Sequence, residues 1–240
     1  MANPQIVPAT VNTGNFTASS LTSVTVTANG VPAKGNAMIA AMVIEGVVAD
    51  PGLVVPPNVN WKSISQNTIG NSGVPAQDRV AVFTAFGQDG ESGSYTFNWT
   101  NLAAMGFWIF AEYSGGDDGT ILDGFGVNQQ NASGVNAGAP LLTPASWNGY
   151  DTLICVWASS LVVGLVQSMS SPNSITMRTL SSSGAISLPA IALGDYWMKP
   201  QGNIINRNAL LANAAQSLGI SFLLRQNPYA ALAPMGGSSA

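Results

Sequence analysis

The strongest constraint on this chain is a period-two alternation of apolar and polar residues that recurs along its length. SVTVTA (residues 23–28) alternates valine with serine or threonine, which is typical of a half-buried antiparallel strand. Clusters of glycine, proline, asparagine and aspartate separate the strand segments. Such a chain is predicted to be all-β, an antiparallel β-sandwich or jelly roll. The further strand segments are AMIAAMVIEG, RVAVFTAFG, SYTFNWT, MGFWIFAEYS, TLICVWAS, SITMRTL, IALGDYWM and SLGISFLLR.

One segment departs from this pattern. NRNALLANAAQSLG (residues 206–219) is rich in alanine and leucine and has no β-branched residue before Ile220. Those residues favour a short helix, but their small side chains suit a tight loop equally well. Both interpretations stay open at the level of sequence.

The order of segments also repeats once, in residues 21–126 and again in residues 140–226. An offset of about 115 residues relates Met38 to Leu153, Trp61 to Met177 and Gly106 to Gly219. Either the two halves supply strands to one sandwich, or two sandwiches stand side by side.

The two ends differ in composition from the predicted sandwich at residues 21–226. Residues 1–20 and 227–240 are rich in proline, alanine, glycine and serine and carry almost no charge. We predict an N-terminal arm and a flexible C-terminal arm. They are either disordered tails or segments that lie across neighbouring subunits.

Charge is scarce throughout the chain. Charged residues make up 8% of it, against roughly 25% in an ordinary soluble domain, while hydrophobic residues make up 46%. A surface so poor in lysine and glutamate lacks the usual protection against self-association, which predicts a protein that lives assembled. The seven basic residues are scattered singly, which argues against nucleic-acid binding.

We expect neither secretion nor a membrane span. The beginning, MANPQIVPAT, has no basic segment followed by an apolar one, so no signal peptide is predicted. The longest apolar stretch, LICVWASSLVVGLV, is too short to cross a bilayer. The expected product is made in a cytoplasm and stays soluble.

The chemical inventory points away from catalysis. The chain contains no histidine, which excludes Ser-His-Asp and Cys-His mechanisms and histidine-ligated metals. Carboxylate chemistry of the glycosidase kind would need two facing acids, with Glu45, Glu91 and Glu112 among the candidates. We predict no enzymatic activity and no cofactor. The single cysteine, Cys155, lies in an apolar run and is predicted to be a buried small side chain.

Four of the eleven acidic residues lie in FAEYSGGDDGTILDGFG, residues 110–126. Asp117, Asp118 and Asp123 are a candidate calcium site, because hard cations take several carboxylate oxygens from one loop. Their spacing does not match the calcium-loop pattern D-x-[DN]-x-[DN]-G. The glycines around Asp117 and Asp118 favour an ordinary turn instead.

Tryptophan offers a second kind of candidate site. Trp108 and Trp157 lie in long apolar strands and are predicted to belong to the core. Trp99 and Trp147 are the candidates for a surface, where they would pack in an interface or stack on carbohydrate.

The residues around the acidic corner resemble a known family. A-E-Y-S-G-G-D (residues 111–117) followed by I-L-D (residues 121–123) is similar to a corner in a β-sandwich family of bacteriophage virion proteins, although Thr120-Ile121 stands where that family usually has proline. Members are mostly tail, fibre or minor capsid components, and the resemblance covers roughly residues 21–225.

The resemblance implies a scaffold without catalytic residues. We therefore expect a virion structural protein, a capsid cement or decoration protein or a tail component. It would form a homo-oligomer, for example a trimer, and contact other virion proteins. The alternative is an adhesin that binds host-surface carbohydrate through exposed tryptophan or tyrosine, with calcium at the acidic corner.

Overall fold

The structure is a computed structural model. It describes residues 4–70, 77–115, 122–140, 142, 151–160, 162, 164–172, 175–181, 188–197 and 207–225, with the backbone alone at 18, 19 and 122–132. Every regular element in these ranges is a β-strand, and none of the described residues forms a helix able to cross a membrane. The strands are β1 (Gln5–Ile6), β2 (Asn12–Thr27), β3 (Ala37–Gly46), β4 (Lys62–Gly70), β5 (Gln77–Phe86), β6 (Ser94–Ser114), β7 (Leu122–Gly138), β8 (Thr152–Ser159), β9 (Met169–Ser170), β10 (Thr176–Ser181), β11 (Ala190–Trp197) and β12 (Asn208–Leu224).

The strands form two antiparallel sheets, one from each half of the chain. The first sheet has the order β1-β6-β3-β5-β4, with β2 also paired to β6. The second has the order β10-β11-β8-β12-β7, with β9 also paired to β12. The predicted all-β sandwich is confirmed, and the jelly-roll form of it stays a prediction.

The two sheets have the same topology. In the first sheet β3 lies between β5 and β6; β4 pairs with the outer side of β5, and β2 with that of β6. In the second sheet β8 lies between β11 and β12; β10 pairs with the outer side of β11, and β7 with that of β12. Met38 and Leu153, which the sequence aligned, hold equivalent places, because they pair with Ala85 and Tyr196 at matching positions of β5 and β11. The order of the paired strands is therefore the same in the two sheets.

The two halves form one sandwich. A single buried cluster joins alternate residues of β3 (Ala37, Ile39, Ala41 and Val43) to alternate residues of β8 (Ile154, Val156 and Ala158). The intervening side chains of each strand belong to a second and a third cluster on the outer faces of the sheets. The central strands are therefore buried on both faces.

The outer clusters are covered by folded ribbons. The pairing of β2 with β6 shifts register between Thr17 and Ser23, and beyond this point Tyr95, Phe97 and Trp99 pack onto the outer face of β3 and β5. The pairing of β7 with β12 shifts between Leu210 and Ser217, where Ala209, Leu211 and Ala215 cover the outer face of β8. Irregular pairing lets each ribbon bend over its own sheet.

The helix considered for residues 206–219 was wrong. Residues 208–224 form β12, which pairs with both β7 and β8. Ala209 and Leu211 are buried while Leu210 and Ala212 are exposed, which is the alternation of a strand. Helix propensity differs by only a few tenths of a kcal/mol per residue, so two-sided strand pairing overrides it.

The beginning of the chain also joins the first sheet. Residues 12–20, which we assigned to an arm, lie in β2 alongside β6. Residues 5–6 form β1 and pair with Tyr113 and Ser114 at the end of β6. The predicted C-terminal arm, residues 227–240, lies outside the described residues.

We expect Gly219→Ala to destabilise the fold by about 2–3 kcal/mol. A Cβ atom at Gly219 would lie 1.9 Å from the Gly138 carbonyl oxygen of the ribbon that covers it. Gly30→Ala is the matched control, because its nearest neighbour would be the Thr10 methyl group at 3.7 Å. Urea unfolding followed by circular dichroism measures both, and equal stability of the two variants would contradict this ribbon packing.

Candidate functional site

A buried polar cluster joins the two sheets where β6 and β11 end. The Tyr113 hydroxyl donates to Asp195 Oδ2 at 3.0 Å, from one sheet to the other. Arg178 Nε lies 2.9 and 2.8 Å from the two oxygens of Asp195, and Arg178 Nη2 lies 2.8 Å from Oδ1. The Asp195 side chain is 6% exposed and that of Arg178 is 34% exposed. The cluster thus runs from the core to the surface.

Local backbone geometry explains how Arg178 reaches Asp195. Met177 pairs with Gly194 and Thr179 with Leu193, so Arg178 is the extra residue of a β-bulge in the edge strand β10. A bulge turns the side chain of its extra residue out of the regular alternation. Asp195 continues the inward-facing series of Ile191 and Leu193 on β11.

The surroundings of Tyr113 and Arg178 determine the charge that each side chain carries. Burial, followed by the nearby Asp195 carboxylate, raises the pKa of Tyr113 well above its ordinary value of 10.0, so the phenol stays neutral. The hydrogen bond to Asp195 raises the pKa of Arg178, which stays charged. The cluster holds a neutral donor and one compensated ion pair.

A cavity of about 270 Å³ opens beside this ion pair, where β1 crosses the ends of both sheets. Residues 4–6, Thr152, Arg178, Asp195 and Trp197 line it. The Thr152 hydroxyl donates to the Pro4 carbonyl at 2.8 Å, which ties the first residues to the second sheet. A second cavity, of about 400 Å³, shares Ile6 and Arg178 with the first.

Trp197 differs from the other described tryptophans. Its side chain is 47% exposed, whereas Trp61, Trp99, Trp108 and Trp157 are all buried. Sequence reasoning missed the combination of Arg178, Asp195 and Trp197. The available signal was a lone charge, Asp195, inside the apolar segment IALGDYWM.

The predicted surface position of Trp99 was wrong. The residue is 5% exposed, its indole Nε1 donates to the Leu21 carbonyl at 3.0 Å, and its ring lies 5.7 Å from that of Phe16. Period two in SYTFNWT already placed Trp99 on the face of Tyr95 and Phe97, both of which are buried. Trp147 lies outside the described residues.

The candidate calcium ligands are hardly described. Asp117 and Asp118 lie outside the described residues, and Asp123 is described only by its backbone in β7. Within the described part of the chain, no group of three or more metal-ligating side chains is placed to hold an ion. Calcium at this corner stays a prediction.

The candidate acids are held by different parts of the fold. Glu112 accepts hydrogen bonds from the Ala33 amide at 2.8 Å and the Asn36 side chain at 2.6 Å, which anchors the turn before β3. Glu45 lies at the opposite end of β3, opposite Asp78. Glu112 is opposite Met38, and the seven steps from Met38 to Glu45 span about 23 Å. Glu45 and Glu112 therefore do not face one bond.

A second candidate site is an exposed apolar surface next to β6, which we call the loop surface. The segment after β3 runs antiparallel to β6: Val55 exchanges two backbone hydrogen bonds with Asn98 (2.7 and 3.0 Å), and the Asn101 amide donates to the Pro51 carbonyl (2.9 Å). The Gln66 side chain holds both backbone groups of Val54, at 2.7 and 3.0 Å. The segment is fixed, and it exposes Val47, Val48, Leu53, Val55 and Val59. Leu102 on the neighbouring β6 is exposed as well, and the six residues are 39–83% exposed.

Cys155 is buried in the outer cluster of the second sheet, as predicted. Burial raises the pKa of its thiol to about 12. We expect no reaction of the folded protein with a thiol reagent at pH 8, and one thiol per chain after unfolding in guanidinium. Absorbance of the released chromophore measures both, and fast labelling of the folded protein would contradict the burial.

We expect the stability of the protein to fall as pH rises above about 10. The unfolded chain loses the Tyr113 phenolic proton there while the folded chain keeps it, so each further pH unit costs about 1.4 kcal/mol for this group. Tyr95, whose pKa is also raised by burial, and Cys155 add to the slope.

Tyr113→Phe isolates the contribution of Tyr113. The variant should lose about 1–3 kcal/mol at neutral pH, because Asp195 loses a donor, and should show a shallower decline above pH 10. Urea unfolding between pH 8 and 11.5 measures both, and an unchanged slope would refute this role.

Comparisons with protein families, with curated proteins and with solved structures found no match to this chain. The function of the protein is therefore inferred from its own residues and their arrangement.

Proposed function

We propose that this is a non-enzymatic structural protein that acts through contacts between subunits. The observation that carries this proposal is the distribution of charge. Of the fourteen charged residues whose side chains the structure describes, four are exposed (Lys34, Lys62, Asp89 and Arg178) and three are partly exposed (Asp50, Glu91 and Arg225). Seven others are buried: Glu45, Asp78, Arg79, Glu112, Asp151, Asp195 and Arg207. A surface with so few charges offers little resistance to association.

The loop surface supports the same proposal. Five of its six exposed aliphatic side chains lie on a segment that hydrogen bonds and the Arg79–Asp50 ion pair hold in place, and the sixth, Leu102, lies on β6. Complete burial of a valine or leucine gains roughly 1.5–3 kcal/mol, so covering these partly exposed side chains contributes several kcal/mol. Because the segment is already ordered, little conformational entropy opposes its burial.

The partner that fits this surface is a second copy of the chain or another protein of the same assembly. We propose a bacteriophage virion as that assembly, with the protein acting as a capsid cement or decoration protein or as a tail component. The support is the resemblance of residues 111–117 and 121–123 to a virion family. The protein would be made in the host cytoplasm and incorporated as a homo-oligomer, for example a trimer.

The alternative of a carbohydrate-binding adhesin loses one of its two predicted contact residues. Trp99 is packed against Phe16 and its indole N–H is satisfied by Leu21, so it presents no ring to a sugar. Trp147 remains a prediction, because it lies outside the described residues.

The test is a double charge substitution, Leu53→Asp with Val55→Asp. We expect the unaltered protein to sediment as an oligomer and the variant to associate at least tenfold more weakly, because two carboxylates would be buried in the contact. Val31→Asp is the matched control: Val31 is 68% exposed, close to Leu53 at 63% and Val55 at 57%, but lies on the turn between β2 and β3.

Analytical ultracentrifugation and binding to particles that lack the protein give two readouts. A compact monomer at high concentration that binds no such particle would end this proposal. An equal loss of association in the Val31→Asp control would remove the loop surface from it.

A further inference from the structure

We propose that the cavity beside Trp197 binds a neutral sugar ring. The first support is the placement of the indole. A tryptophan with 47% exposure at the wall of a cavity offers an apolar face to the C–H groups of a pyranose. The inference does not depend on the proposed subunit contacts, because the cavity lies apart from the loop surface.

The second support is the polar wall of the cavity. Arg178 and Asp195 are planar groups locked together by several charge-assisted contacts, and the Tyr113 hydroxyl fixes Asp195 from behind. Arg178 makes these contacts through Nε and Nη2, which leaves Nη1 outside the ion pair. The fixed guanidinium edge offers N–H donors to the hydroxyl oxygens of a sugar.

The charge balance selects the chemical class of the ligand. Among the described residues that line the first cavity, Arg178 and Asp195 are the ionisable ones, and their charges cancel. Gln5 and Thr152 add neutral polar groups to the same wall. A phosphate or carboxylate would meet a guanidinium already neutralised by Asp195, whereas a neutral polyhydroxylated ring needs no net charge.

The size of the first cavity suits a single ring. A volume of about 270 Å³ lies just below the roughly 300–1,000 Å³ of sites for drug-sized molecules. The adjoining cavity is lined mainly by Ile6, Pro8, Val11 and Met177, which suits a methyl group, either that of a methyl glycoside or that of an N-acetyl substituent. The inferred ligand is a neutral pyranose with such a substituent.

Saturation-transfer NMR on the full chain tests this inference. The panel contains the methyl glycosides of glucose, galactose and mannose, together with N-acetylglucosamine and N-acetylgalactosamine. Glucuronate, N-acetylneuraminate and inorganic phosphate are the charged comparators. We expect at least one neutral sugar to receive saturation on its ring C–H protons and the charged compounds to bind at least tenfold more weakly.

Substitutions assign the binding to this cavity. Trp197→Ala should weaken sugar binding at least tenfold. Trp197→Phe, which keeps an aromatic face, should have an affinity between those of Trp197→Ala and the unaltered protein. Leu165→Ala, at a side chain of similar exposure (45%), is the matched control and should bind normally. Circular dichroism shows whether each variant is folded. If Trp197→Ala is unfolded, Trp197→Phe alone is used to assign the binding to this cavity.

The inference is overturned if no neutral sugar binds, if the charged compounds bind more tightly than the neutral ones, or if Leu165→Ala weakens binding as much as the Trp197 variants. None of these outcomes bears on the ultracentrifugation result, so the site and the subunit contacts are judged separately.

Discussion

The fold depends on the burial of its two central strands on both faces. Every residue of β3 and of β8 is buried, and the inner faces of the two strands share one apolar cluster. A strand in this position has no solvent face, so a second layer has to cover each outer face. The long ribbons β2–β6 and β7–β12 supply that layer by bending back over the sheet to which they belong. The same solution occurs in both halves because both have the same strand order.

This requirement explains what could be predicted from the sequence and what could not. Strand segments follow from local alternation, and the all-β class follows from them. The bend of a ribbon is a non-local event, so the outer cluster around Trp99 was not foreseen. Residues 206–219 were ambiguous for the same reason: their alanines and leucines lack strong strand preference, and pairing with β7 and β8 decides their conformation. The contacts of Arg178 depend on a bulge, which a single charged residue does not reveal.

The layers that cover both faces of the central strands also bury several charged side chains. Arg79 is paired with Asp50 and Arg178 with Asp195, while Arg207 donates from Nη1 to the Pro140 carbonyl at 2.6 Å. Burial lowers the pKa of Arg207, but its hydrogen bond keeps a donor satisfied inside the protein. Charges used in this way fix loops and connect sheets. Apart from Arg178, these basic side chains are not on the surface to keep molecules apart, which links the internal architecture to the proposed association.

Part of the loop surface lies at the opposite end of the sandwich from the cavity. Gln5 pairs with Ser114, next to Tyr113, which itself pairs with Ala37 at the start of β3. Pro4 accepts a hydrogen bond from Thr152, at the start of β8. The cavity therefore lies where β3 and β8 begin. Val47, Val48 and Leu102 lie beyond the other end of β3, where the Val47 amide donates to the Leu102 carbonyl. The nine steps from Ala37 to Gly46 separate the two ends by about 30 Å. A neighbouring subunit on that end of the loop surface therefore leaves the cavity open. A molecule held in an assembly in this way still presents Trp197 to a sugar.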